Sequence, residues 1–178
     1  MNRMTLIKLH LYFSGIALVF LSLMTFSGSM HLLLGDETEV VNEVKTIAVE
    51  EGIDKEALSK LFEAELAKID SDYKFGYLKG SATSLVSRPT NRAYYTIKVS
   101  NGSAKIEKHE PSLRKRLMEF HMGHGARASR GAMGVLGLVV LAATLTGLWL
   151  GWSSKQLRMM TIATLTSGTV LFVILFML

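Results

Sequence analysis

The chain has 178 residues, of which 49% are hydrophobic, with a net charge of +5 and no cysteine. This length corresponds to one ordinary domain if the protein is soluble, and the lack of cysteine excludes disulfides and thiol catalysis. The basic excess lies beside long apolar runs, where anionic headgroups attract it, so it does not indicate binding to nucleic acid.

Three segments without Asp, Glu, Lys or Arg indicate three transmembrane helices. They cover residues 9–35, 131–154 and 159–178. A bilayer core of ~30 Å needs about 20 helical residues, and a charge at its centre costs roughly 2.5–3.5 kcal/mol on insertion scales. The first run is too long for a signal-peptide core and no A-x-A site follows, so we expect an uncleaved anchor. The sequence "SGS" at 27–29 is the alternative cleavage site.

Basic residues at the ends of these runs predict the orientation. Arg3 and Lys8 precede the first run, and Lys155 and Arg158 lie between the second and third. The positive-inside rule puts both ends in the cytoplasm. The polar segment after the first run is then periplasmic, in a bacterial inner membrane. A basic cluster before the second run opposes this, but the rule is weak for segments longer than about 60 residues. This cluster is Arg114, Lys115, Arg116, Arg127 and Arg130.

The polar segment has the pattern of a small α+β domain. "DETEVVNEVKTIAVEEG" predicts a helix with an apolar face formed by Val40, Val41, Val44, Ile47 and Ala48. "DKEALSKLFEAELAKID" predicts a second helix capped by Asp54, with an apolar face formed by Leu58, Leu61, Phe62, Leu66 and Ile69. We expect these two helices to precede an antiparallel sheet.

The sheet is predicted from alternation and turn residues. Tyr95, Ile97 and Val99 alternate before Asn101-Gly102, which is a strong hairpin signal. "YKFGYLKG" and "ATSLVSRP" predict two further strands, and His109 is expected to be solvated at the end of the hairpin.

A short amphipathic helix is predicted to start at Pro111 and to lie on the membrane surface. Its basic cluster is either a lipid-facing anchor or a docking patch for an acidic partner. The expected fold class is therefore a membrane α-helical protein of three transmembrane helices with an inserted small α+β domain. Its segments are a cytoplasmic N-terminus (1–8), transmembrane helix 1 (9–34), the periplasmic domain (35–110), an interfacial amphipathic helix (111–129), transmembrane helix 2 (130–152), a cytoplasmic loop (153–158) and transmembrane helix 3 (159–178).

The first and second runs share a weak internal repeat. Residues 15–28 aligned with 134–147 match at Gly, Thr and Gly, three positions of 14. A histidine near the start of the first run, the endings "FSG" and "LTG", the helix–sheet domain and "FHMGHG" before the second run together resemble the PepSY-associated transmembrane helix family.

This resemblance implies a PepSY-like extramembrane domain and a role in membrane redox chemistry. Larger family members resemble iron or siderophore reductases that carry b-type haems between helices, and PepSY modules elsewhere are associated with peptidase inhibition or regulation. This chain departs from the larger members, because it has three apolar runs, five histidines and no flavin or nucleotide domain. We therefore expect an accessory subunit rather than a complete reductase.

The histidines are the candidate ligands. His10 and His31 are 21 residues apart, or ~31 Å along a helix, so they cannot share one site. Under the expected topology, haem b can be held by His31 with His124 or His121, whereas His10 needs a partner from a homodimer, another subunit or a different ligand type.

Two other interpretations of the histidines stay open. His31, His121 and His124 can instead hold zinc, or copper if Met30 and Met122 contribute thioethers. All of them can also be interfacial or hydrogen-bonded residues without a cofactor. In that case the chain is an interaction or regulatory protein whose periplasmic domain binds a partner or a peptidase. The expected partners are the lipid bilayer and either other membrane subunits or a second copy, and no nucleic acid.

Overall fold

The computed structural model describes residues 2–178, which form five helices and five strands. The helices are α1 (Arg3–Leu34), α2 (Lys55–Ile69), α3 (Leu113–His121), α4 (Arg127–Ser153) and α5 (Arg158–Met177). The strands are β1 (Glu39–Ala48), β2 (Tyr77–Gly80), β3 (Ser84–Arg88), β4 (Tyr94–Ser100) and β5 (Ser103–Pro111). Helices α1, α4 and α5 are long and apolar enough to cross a membrane, as expected of a membrane protein.

The chain divides into two compact units, and the boundaries between them fall inside α1 and α4. One unit comprises residues 1–23 and 134–178, and the other comprises residues 24–133. The second unit contains the whole antiparallel sheet, in the order β1-β5-β4-β3-β2.

One face of the sheet is covered by α2, and this contact forms the apolar core. Asp54 caps α2 by accepting a hydrogen bond from the Ala57 N–H, as its sequence position predicts. Leu58, Phe62 and Leu66 of α2 are buried together with a set of sheet residues. This set is Leu85, Tyr95, Ile97, Ala104 and Ile106.

The hairpin of β4 and β5 forms at the predicted turn. Asn101 and Gly102 have φ values of 50° and 70°, which are the left-handed values that a two-residue turn of this kind needs. The strands predicted from "YKFGYLKG" and "ATSLVSRP" are β2 and β3.

The predicted first helix of this domain is wrong, because its residues form strand β1. It pairs antiparallel with β5 from Glu39↔Pro111 to Ala48↔Ser103, and the register shifts between Glu43 and Lys45. The valines that match a helical face are mostly solvent-exposed, at 59% for Val40 and 45% for Val41. Because β1 comes first, the helix–sheet order is strand, helix, four strands rather than two helices followed by a sheet.

The other face of the sheet carries buried polar groups. His109 is only 7% exposed, so the expectation that it is solvated is wrong. Its ring stacks on Tyr94 with a centroid distance of 4.7 Å, and its Nε2 lies 3.0 Å from the Thr96 hydroxyl. Nδ1 lies 3.2 Å from a Glu39 carboxylate oxygen, without the alignment of a hydrogen bond.

Glu39 links this polar face to α3. Its carboxylate accepts from Tyr94 Oη at 2.9 Å and pairs with Lys115 Nζ at 2.7 Å. Burial tends to raise the pKa of Glu39, but the interactions with Lys115, Tyr94 and His109 outweigh it and hold this pKa below its ordinary value. The ionised Glu39 of β1 therefore contacts residues of β4, β5 and α3.

Candidate histidine sites

His31 lies near the end of α1, where the chain folds back on itself. Gly35 follows α1 with φ +71°, and its N–H donates to the His31 carbonyl at 3.0 Å. Glycine is favoured there because the left-handed conformation strains other residues. The reversal lets a Glu37 carboxylate oxygen lie 2.9 Å from His31 Nδ1. The carboxylate accepts, so Nδ1 of His31 carries the proton.

His121 is the last residue of α3, and it packs against α1. Its Nδ1 lies 2.9 Å from Ser27 Oγ. The Ser27 hydroxyl donates its own proton to the Met24 carbonyl at 3.1 Å, so it accepts from Nδ1–H of His121. Gly28 lies close beside it, since a Cβ there would be 3.3 Å from Cε1 of the ring, a tight contact.

His124 is positioned by the turn that ends α3. The His124 N–H donates to the Glu119 carbonyl, and the Gly123 N–H donates to the Phe120 carbonyl, both at 2.9 Å. These two bonds, with Gly123 at φ +71°, form a Schellman motif. The turn brings His124 Nδ1 to 2.9 Å from a carboxylate oxygen of Glu119, which lies five residues earlier in the chain. It also separates α3 from α4, so residues 111–129 are not one continuous helix.

Glu119 is a shared acceptor beside His124. The same carboxylate oxygen accepts from the Thr90 hydroxyl and lies 3.4 Å from Arg88 Nη1. The side chains of Arg88 and Glu119 expose only 12% and 13% of their surface. His124 is therefore held by a largely buried polar network, and nothing in the local sequence indicates it.

His10 belongs to the other unit and contacts α4. Its Nδ1 lies 3.0 Å from the Ala143 carbonyl and 3.2 Å from Thr146 Oγ1. A carbonyl only accepts, so Nδ1 of His10 carries the proton and Nε2 is the acceptor, 3.4 Å from Ser14 Oγ. A Cβ on Gly147 would lie 2.9 Å from the ring, which shows how closely His10 packs on α4.

The weak sequence repeat has a local structural counterpart. Ser27-Gly28 and Thr146-Gly147 occupy equivalent positions in the aligned segments. Each pair seats one imidazole, with the hydroxyl beside Nδ1 and the glycine under the ring. The repeated unit is thus a hydroxyl residue followed by glycine, and a histidine ring packs on it. The ring is that of His121 at Ser27-Gly28 and that of His10 at Thr146-Gly147.

All four imidazoles have the same chemical state when neutral. Nδ1 faces an acceptor in His10, His31, His121 and His124, so Nε2 carries the lone pair, which in His10 faces the Ser14 hydroxyl at 3.4 Å. Histidines that bind iron or zinc usually donate their other ring N–H to a carboxylate, a carbonyl or another acceptor, which fixes the ring. Imidazoles held in this way could therefore ligate haem iron through Nε2.

The three imidazoles of the alternative metal site have separate partners. His31 is bonded to Glu37, His121 to Ser27 and His124 to Glu119. Within residues 2–178, no three His, Cys, Asp or Glu side chains are grouped so as to hold one metal ion. The zinc or copper interpretation stays a prediction.

No family model, no curated protein and no solved structure matches this chain.

Proposed function

We propose that this chain is an inner-membrane PepSY-type protein that carries haem b, or supports electron transfer through it, as an accessory subunit in iron reduction or respiration. The single observation that carries the proposal is the shared arrangement of His31, His121 and His124, in which Nδ1 faces an acceptor and Nε2 is left as the possible ligand atom. A packing histidine needs no such uniform tautomer.

His31 together with His124 or His121 would hold the haem. Reversible one-electron transfer at iron is the chemistry that the bound haem supplies. The chain's own groups orient the ligands: the carboxylates of Glu37 and Glu119 hold His31 and His124, and the Ser27 hydroxyl holds His121. A carboxylate beside Nδ1 would also make the imidazole of His31 or His124 a more basic ligand for the iron.

In this proposal the amino terminus is cytoplasmic and the sheet domain is periplasmic. The support is the charge pattern of the sequence, with Arg3, Lys8, Lys155 and Arg158 on the cytoplasmic side. His10 then lies near the inner face, where its Nε2 requires a ligand partner from a second copy or another subunit if it binds a haem of its own.

Difference spectroscopy of the purified full-length chain in detergent tests the proposal. We expect a Soret shift and an α band of haem b between the oxidised and reduced protein. His31→Ala should abolish this signal, and either His121→Ala or His124→Ala should do the same. His109→Gln is the matched control, because His109 bonds within the sheet domain through Nε2 and should leave the spectrum unchanged. A full signal in His31→Ala refutes this choice of ligand.

A second candidate function is favoured by the exposed edge of the sheet. Strand β1 is an edge strand of 10 residues, and its Val40, Val41 and Val44 are 59%, 45% and 40% exposed. Long apolar edges bind further strands from other proteins. In this alternative the protein is haem-free and regulates a partner or a peptidase through β1.

Site-specific photocrosslinking in cells distinguishes this second function. A photoreactive residue at Val40 should give a discrete crosslinked product, whereas one at Lys60 on the exposed side of α2 should not. Equal crosslinking at both positions contradicts a role for the β1 edge. A haem-free spectrum together with a product at Val40 alone would favour this function over the first.

A further inference from the structure

The unit of residues 24–133 contains a cavity of about 310 Å³ that no histidine lines. Four of the residues that line it are cationic and none is acidic. The cations are Lys74, Arg88, Arg92 and Arg127, and the aromatic side chains of Phe75 and Tyr77 line the same cavity. Cations gathered around one space repel each other, so an anion in that space is stabilised.

The positive charge of this cavity is only partly neutralised within the protein. Arg88 lies 3.4 Å from Glu119, and its buried Nε has no hydrogen-bond partner among residues 2–178. Over the same described range, Lys74, Arg92 and Arg127 form no ion pair with a carboxylate. Arg92 donates to the Lys74 carbonyl, and the Arg127 guanidinium lies 5.1 Å from the centroid of the Tyr77 ring.

The beginning of α4 adds to this positive potential. Gly125, Ala126 and Arg127 line the cavity, and the first bond inside α4 runs from the Arg130 N–H to the Ala126 carbonyl. The N–H groups before it have no partner within the helix, and the helix dipole is positive at this end. Such an end favours a phosphate or a carboxylate.

The apolar part of the lining indicates what carries the anion. Phe75, Tyr77 and Pro89 provide carbon surface beside the cationic groups, as a phosphate ester with attached glycerol or acyl carbon requires. An adjacent cavity that shares Lys74 and Arg92 also has Asp70 and Asp72 in its lining, so an anion is favoured on the Arg127 side. Arg127 is four residues before the uncharged run that starts at Gly131, or ~6 Å along the helix.

We propose that this cavity binds the phosphate group of a phosphate ester, presented by the headgroup of an anionic phospholipid at the start of α4. Basic pockets beside membrane-spanning helices hold anionic headgroups in this way. The guanidinium groups of Arg92 and Arg127 contact the phosphate, and the aromatic side chains contact the glycerol and ester carbons.

Native mass spectrometry of the full-length chain in detergent, titrated with lipid, tests the proposal. The probes are phosphatidylglycerol, zwitterionic phosphatidylcholine and inorganic phosphate. We expect phosphatidylglycerol to bind more tightly than phosphatidylcholine. The double variant R92Q/R127Q should weaken phosphatidylglycerol binding about tenfold or more, because two charge-assisted hydrogen bonds are lost. R92K/R127K retains both charges and should keep most of the affinity.

Arg116→Gln is the matched control, because Arg116 belongs to the same basic cluster, is exposed and bonds the Asn91 carbonyl outside the cavity. It should change phosphatidylglycerol binding less than about threefold. An equal loss in R116Q and in R92Q/R127Q overturns the proposal, since diffuse surface charge would then explain the binding. Unchanged binding in R92Q/R127Q also overturns it. Displacement of the lipid by millimolar inorganic phosphate supports recognition through the phosphate group.

Discussion

Replacing Glu119 by alanine tests whether its carboxylate is the shared acceptor that holds α3 against the sheet. The substitution removes the acceptor of the Thr90 hydroxyl, of His124 Nδ1 at 2.9 Å and of Arg88 Nη1 at 3.4 Å. Breaking a buried ion pair on one side costs about 3–5 kcal/mol. Arg88 keeps a 2.6 Å bond to Thr90, and the His124 side chain is 31% exposed and can bond to water. We therefore expect a cost of about 2–3 kcal/mol, at or below the lower limit of that range.

Hydrogen exchange of the full-length chain in detergent micelles measures this cost locally. Amides in residues 84–96 and 113–124 should exchange about 30- to 150-fold faster in Glu119→Ala, since each 1.4 kcal/mol corresponds to a factor of ten. Glu110→Ala is the control, because Glu110 forms an ion pair with Lys108 in which the two side chains are 50% and 35% exposed. Surface pairs of this kind contribute about 0–1 kcal/mol, so exchange should rise less than about fivefold. Equal exchange in the two variants would refute the idea that Glu119 organises this region.

Three further predictions concern the core, acid stability and topology. Phe62 is fully buried, so Phe62→Ala should destabilise the sheet domain by about 3–5 kcal/mol in denaturant unfolding, and a cost below about 1 kcal/mol would contradict the α2–sheet core. Burial alone would raise the pKa of Glu39, but its interactions with Lys115, Tyr94 and His109 hold that pKa below the ordinary value of 4.5. The stability that the ionised carboxylate provides is therefore complete above pH 4.5 and is lost as the pH falls through the lowered pKa. In thermal melts at a series of pH values, Glu39→Gln should make the melting temperature depend less on pH in the acid range. An unchanged pH dependence would argue against a stabilising role for the contacts of Glu39 with Tyr94 and Lys115. An amine reagent confined to the outside of intact cells should modify Lys60 and spare Lys155, and the reverse would invert the topology.

Much of the domain could be predicted from local patterns. Asp54 before an apolar 3.6-residue period predicts α2, and Asn101-Gly102 between two alternating segments predicts the β4–β5 hairpin. Both signals depend on residues close in sequence, which is why they are readable. The three apolar runs are equally local, because a bilayer requires length and apolarity within one segment.

Strand β1 was not predictable in the same way. Its valines fit a helical face by spacing, but the segment pairs with β5, more than 50 residues later, and leaves those valines largely exposed. Pairing with a distant strand satisfies the backbone whatever the local period is. The β-branched content of the segment, with Val40, Val41, Val44 and Thr46, was the available signal for a strand.

The sequence identifies which histidines are candidate ligands, but it does not predict which residues they contact. Sequence spacing identifies His31, His121 and His124 as candidates, whereas their partners Glu37, Ser27 and Glu119 depend on the turns at Gly35 and Gly123 and on how α3 packs against α1. His109 was expected in solvent because a hairpin end is usually exposed. It is instead buried beside Tyr94 of β4 and Glu39 of β1, and contacts between separate strands are not encoded in a short pattern.

The most direct test of the account is a pyridine haemochrome assay on the purified full-length chain, expressed with haem supplied and quantified against total protein. If His31 and His124 or His121 hold one haem, we expect about one haem b per chain in the native protein and almost none in His31→Ala. A native chain that is folded, as judged by protected sheet amides, and still contains no haem would contradict the proposal that these imidazoles serve electron transfer.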